Sequence, residues 1–159
     1  MRGPKKRRTL QRLAFGPAAF TLILCATAAA ASAETAARPE DVFRKVSSAE
    51  VVVVRAIGRR DSNALAKTAG DLGQLIEAAL KRREEGQEAT ACDMAAHSLA
   101  FAAVSAAEGL ANRGEAQRIL FQDAVSAAAD FRQDMRTCEK LIRRNTGSHT
   151  SVEKALRAL

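Results

Sequence analysis

Two cysteines and the glycine between them constrain this chain more than any other feature. Cys92 lies 22 residues before Gly114, and Cys138 lies 24 residues after it. On either side the apolar residues recur at helical spacing. Cys92, Ala96, Leu99, Ala103, Ala106 and Leu110 share one stripe of the first segment. Phe121, Ala124, Ala128, Phe131, Met135, Cys138 and Ile142 share one stripe of the second. A chain that reverses at Gly114 therefore brings both thiols to one level, on the two faces that meet. The expectation is a disulfide closing the open end of a helical hairpin. Alanine buries little apolar area, so a crosslink that contributes about 4 kcal/mol by chain entropy can decide whether such a core folds.

A disulfide needs an oxidising compartment, and the N-terminus reads as the route to one. Arg2, Lys5, Lys6, Arg7, Arg8 and Arg12 form a basic head, Leu13 to Ala30 a mostly apolar run, and Ala31-Ser32-Ala33 a small-x-small end. That order is what a secretory signal peptide requires. Residues 1–33 are expected to be a signal cleaved after Ala33, and 34–38 a flexible linker. Gly16 and Pro17 argue against an uncleaved anchor, and the bulk of Leu24 argues against a lipoprotein site at Cys25. Arg7-Arg8-Thr9-Leu10 loosely matches a twin-arginine signal, but any basic head is rich in arginine. The expected location is periplasmic or secreted, with the membrane involved only through the signal before cleavage.

Removing those residues changes what the charge means. The chain holds 25 basic and 18 acidic residues, and six of the basic ones but none of the acidic ones fall in the first 33. The rest carries 19 against 18. The high isoelectric point thus belongs to the export signal and gives no warrant for a nucleic-acid partner. Four phenylalanines beyond the signal, at 43, 101, 121 and 131, make no base-stacking platform.

Taken in order, the remainder reads as four long helices and a short one. Pro39 followed by Glu40 and Asp41 suits a first helical turn, and Val42, Phe43, Val46, Ala49, Val53 and Ile57 follow at helical spacing. The run Val51 to Val54 favours a strand locally, yet no second strand exists to pair with it. Its four valines are expected to be covered on more than one side. A turn over Gly58 to Asn63, capped by Asp61 or Ser62, leads to a helix with the seam Leu65, Ala69, Leu72, Ile76, Ala79 and Arg83. Gly70 and Gly73 within it signal either a close helix approach or a tolerated weak spot. Gly86 ends it after Lys81, Arg82 and Arg83.

The third helix is expected over Gln87 to Asn112 and the fourth over Glu115 to Asn145. After a break at Asn145 to Ser148, Thr150 and Glu153 read as a capping box for a short helix carrying Val152, Ala155, Leu156 and Leu159. The expected fold is all-α: an antiparallel up-down four-helix bundle with a short C-terminal helix, stapled by one disulfide, forming a single domain over 39–159.

The chain has no C-x-x-C, C-x-x-C-H, G-x-S-x-G, H-E-x-x-H or glycine-rich phosphate loop. No catalytic residue and no cofactor are expected. Met94, His97 and Met135, with His149 nearby, compose an alternative metal- or haem-binding set of soft ligands, although methionines at helical spacing more often pack a core. The basic clusters Arg59-Arg60, Lys81-Arg82-Arg83 and Arg143-Arg144 complement helix C-termini. The last two, with His149, suggest an anion-binding cap, largely neutralised by Glu84, Glu85, Glu88 and Glu139. The third helix is apolar nearly all round, which leaves Met94, Phe101 and Val104 opposite its main stripe. Those three, and Val152, Leu156 and Leu159, are the expected interaction surfaces. The function expected is non-enzymatic binding in the periplasm, with a protein partner or a second copy.

Overall fold

The computed structural model describes residues 38–159; the expected signal and most of the expected linker lie outside the described residues. Five helices follow one another: α1 (Pro39–Arg59), α2 (Ser62–Glu84), α3 (Ala91–Ala111), α4 (Gly114–Leu141) and α5 (Ser151–Leu156). No strand occurs among the described residues. The valine run lies inside α1, where Val53 is fully buried while Val51 and Val52 face solvent. Covering on several sides is therefore not what keeps it helical; Val53, with Val54 packed partly against the same core, suffices among strong helical neighbours.

Local chemistry sets the boundaries. Pro39 opens α1 with Glu40 and Asp41 in the first turn. The Asp61 carboxylate accepts from the Ala64 N–H at 2.9 Å and starts α2. Helix α3 begins four residues later than its apolar pattern implies, because Thr90 and Asp93 form a reciprocal capping box. The fourth helix stops at Leu141 and not at Asn145. Arg143 adopts a left-handed backbone there, and the Arg144 N–H bonds back to the Glu139 carbonyl at 2.8 Å. The same closure ends α1 at Arg60 and α2 at Gly86. Thr150 precedes α5 but makes no side-chain cap bond. The expected box fails because Glu153 is drawn to Arg132 and Arg157 instead.

One core unites these elements. Val42, Phe43, Val46, Val53 and Ile57 of α1 join Leu65 and Leu72 of α2, the alanine face of α3, and Ala128, Phe131 and Met135 of α4. Helix α3 packs most extensively on α4, then on α2, then on α1. Small residues make the α3–α4 approach possible. A Cβ added at Gly109 would stand 2.7 Å from the Phe121 ring, whereas one at Gly70 or Gly73 would meet nothing within 4 Å. Close helix approach is thus a property of Gly109, and the α2 glycines are tolerated weak spots.

Cys92 and Cys138 are joined as the spacing predicts, with sulfurs at 1.98 Å and Cα atoms at 4.7 Å. One turn further along, the Ser98 hydroxyl donates to the Asp134 carboxylate at 2.7 Å. Phe121 meets Gly109 at the other end.

Candidate functional site

The outer face of α3 shows what a core helix leaves over. Its inner and lateral residues, from Cys92 to Ala107, are almost wholly buried. Yet Met94 is 45 % exposed, Phe101 51 % and Val104 39 %, with His97 and Glu108 exposed on the same line. The spacing 94, 97, 101, 104, 108 is the three-four alternation of a helix–helix seam. Helix α3 is also long and apolar enough to cross a membrane by composition, although most of it is buried against its neighbours. Leu80 near the end of α2 and Leu141 at the end of α4 add exposed apolar side chains. Both belong to the helix ends fastened to the start of α3 by the Arg82–Asp93 ion pair and the disulfide.

The other expected surface is differently placed. Val152 and Leu156 are buried, 0 % and 3 % exposed, and Leu159 packs partly against the same core. They dock α5 onto α1 and α4, so the short helix satisfies its apolar face within its own chain. A six-residue helix has too few turns to hold its shape unaided, which is why its apolar face is spent on docking.

The metal reading does not assemble. Met135 is wholly buried in the core, while Met94 and His97 stand on the solvent face of α3. Among the described residues, no group of three or more His, Cys, Asp or Glu side chains is placed to hold a metal ion. Two members of the expected anion cap, Arg82 and His149, are engaged in pairs within the chain. Arg82 turns inward, its Nη2 2.7 Å from Asp93 Oδ1. The other Asp93 oxygen accepts from the Thr90 N–H at 2.9 Å and hydroxyl at 2.8 Å. This knot ties the end of α2 to the start of α3, one residue from Cys92.

His149 forms a second cluster, with Glu139 from the expected cap and with Glu50, which the sequence pattern does not bring to it. His149 is only 9 % exposed, its ring edge-on to Phe131 with centroids 6.1 Å apart. Its Nδ1 lies 2.9 Å from Glu50 Oε2 of α1, and its Nε2 lies 3.2 Å from Glu139 Oε1 of α4. Glu50 also accepts from the Ser151 hydroxyl, and Glu139 accepts from the Thr146 N–H at 2.6 Å. Burial pushes the imidazole toward its neutral form, but the two carboxylates outweigh it and raise His149 above the ordinary histidine value of 6.5. Burial likewise opposes the charge on Glu139, and the Thr146 and His149 hydrogen bonds outweigh it, holding that carboxyl below 4.5.

His149 holds a left-handed backbone, φ 50°, which a non-glycine residue adopts at a cost and keeps only when its surroundings demand it. The two carboxylates are that demand. Beside the cluster runs a groove of about 630 Å³ between α1 and residues 146–151, lined by Ser47, Glu50, Val51, Val54 and Lys154 among others. The Ser47 hydroxyl oxygen is buried there without a hydrogen-bond partner. A single histidine in a polar stretch, 99 residues from one partner and 10 from the other, carries no periodic signal.

Comparison with known proteins returns no match: no family model, no curated protein and no solved structure is significantly similar to this chain.

Proposed function

We propose that the chain is an exported, non-enzymatic binding protein: an antiparallel up-down four-helix bundle over 39–159 whose outer α3 face takes a protein partner or a second copy. The observation that carries this reading is the exposed line Met94, Phe101 and Val104 on a helix otherwise buried. Apolar side chains at one helical register are the anchors by which a helix lies in a groove or against another helix. The up-down arrangement is supported by two-residue connections at 60–61 and 112–113 and a six-residue one at 85–90, lengths that return the chain beside itself. It is supported also by the three α3–α4 contacts, which run in opposite senses along the two helices. Export is supported by the joined cysteines, since such bonds persist in oxidising compartments.

The test is Phe101→Asp. The side chain is half exposed, so stability should change by no more than about 0.5 kcal/mol, while self-association in sedimentation velocity or recovery of a crosslinked partner from the exporting cell should drop at least tenfold. A variant that assembles and captures as the parent does would overturn the proposal.

A further inference from the structure

The C-terminal segment is held by three kinds of contact, and they differ in what can switch them. Val152 and Leu156 bury their side chains between α1 and α4. Arg132 pairs with Glu153 at 3.0 Å, and Arg60 Nη2 donates to the Leu159 carbonyl at 3.3 Å; an arginine keeps its charge at any ordinary pH. The third contact, His149 between Glu50 and Glu139, has a cation that titrates. It also stands first in line, where the chain leaves α4 and turns toward α5.

Both ring nitrogens face carboxylate oxygens, and the geometry allows only one protonation state to satisfy both. An imidazolium donates from Nδ1 to Glu50 and from Nε2 to Glu139. A neutral imidazole carries a single N–H, so one nitrogen lone pair would then face a carboxylate, and the buried Glu139 and part-buried Glu50 would lose the cation between them. Breaking a buried pair by removing one partner is far more costly than never having made it.

We propose that His149 is a pH-operated latch: as an imidazolium it clamps residues 142–159 to α1 and α4, and its deprotonation frees that segment and uncovers the apolar face of Val152 and Leu156. The partner-binding face on α3 would thereby be joined by a second apolar surface, available only on the alkaline side. The charged groups that face His149 are Glu50 from α1 and Glu139 from α4. On the α5 side stand Lys154, in the adjoining groove, and Glu153, already held by Arg132 and Arg157.

The direction follows from linkage. A histidine raised on folding stabilises the clamped form fully below its unfolded value and loses that stabilisation as pH rises through its folded value. Glu139, lowered on folding, stabilises it above its unfolded value and loses it as pH falls. The latch is therefore closed between the carboxylate range and the raised histidine range, and it opens above the latter.

NMR on the oxidised protein tests this. The chain has two histidines, so a His97→Asn background leaves His149 as the one imidazole to titrate. The expected result is a His149 midpoint above that of a free histidine. The methyl resonances of Val152 and Leu156 should leave their core positions with the same midpoint. Glu50→Gln should move both midpoints down together by about one pH unit or more. His149→Asn, which suits the left-handed backbone but carries no charge, should show the released methyl signals at every pH. Methyl signals indifferent to the His149 midpoint, or a midpoint unmoved by Glu50→Gln, would overturn the latch.

Discussion

Two buried ion clusters fasten this molecule, and their cations make them behave differently. Arg82–Asp93 ties α2 to α3 beside the disulfide, and His149 with Glu50 and Glu139 ties the C-terminal segment to α1 and α4. Both place a cation against buried carboxylate, and both are completed by threonine: Thr90 in the first, Thr146 in the second. The guanidinium is charged at every ordinary pH, whereas the imidazolium is charged only over part of that range. The first cluster also sits on regular structure, the capping box of a 21-residue helix. The second sits on an irregular stretch with a left-handed residue. The α2–α3 fastening therefore stays closed at every ordinary pH, and under the proposed latch the C-terminal attachment is conditional.

The largest test removes the covalent part of the permanent end. Cys92→Ala with Cys138→Ala opens a crosslink spanning 46 residues, and chain entropy assigns about 4 kcal/mol to a loop of that size. Urea unfolding should show a loss approaching that figure, while the His149 titration keeps its midpoint. A movement of that midpoint would mean that the two fastenings are coupled and that the contrast between them fails.

Asp93→Ala tests the ionic part of the same end. It strands the Arg82 guanidinium and removes the acceptor that caps the Thr90 N–H, so unfolding free energy should fall by about 2–3 kcal/mol. Arg82 retains some access to water, which keeps the loss below that of a fully buried pair. The loss should be the same at pH 6 and pH 9, since an arginine–aspartate pair lacks the imidazole on which the other cluster depends. A loss that grew or shrank across that interval would make this cluster as conditional as the other.

The two clusters also differ in how much of each can be read before the structure is known. The disulfide follows from Gly114 and the apolar stripes because helical periodicity places side chains by counting. Helix existence follows for the same reason, as does the solvent face of Met94, Phe101 and Val104. The Arg82–Asp93 knot is half legible: Thr90 and Asp93 have capping-box spacing, but Gln87, Glu88 and Ala89 are good helix formers and draw the expected helix start back to Gln87. The grouping of His149 with Glu139 at the end of α4 is legible, but its burial and its pairing with Glu50 of α1 are not, since both depend on how the C-terminal segment docks. Val152 and Leu156 show the matching limit. An amphipathic pattern says that a face will be buried, and it does not say whether the chain itself or a partner buries it.

The smallest effect separates backbone strain from ion pairing in the conditional attachment. Arg143 ends α4 in a left-handed conformation, φ 55°, as Gly86 ends α2 and Arg60 ends α1. In the left-handed region a Cβ crowds the following carbonyl, which costs about 1–2 kcal/mol for an L-residue, whereas glycine enters it freely but loses more freedom on folding. Arg143→Gly should therefore stabilise the protein by about 0.5–1 kcal/mol, read as a rise in the urea midpoint at constant slope. His149, six residues on and equally left-handed, should behave in the opposite way: His149→Gly relieves its backbone but removes the cation between Glu50 and Glu139. At pH 6 that substitution should destabilise, and the loss should shrink as the pH rises past the His149 midpoint, where the native imidazole no longer offsets the two carboxylates. Two glycine substitutions at like backbone angles with opposite signs would show that the strain at His149 is sustained by its charge. Equal signs would reduce the contrast between the two fastenings to turn geometry.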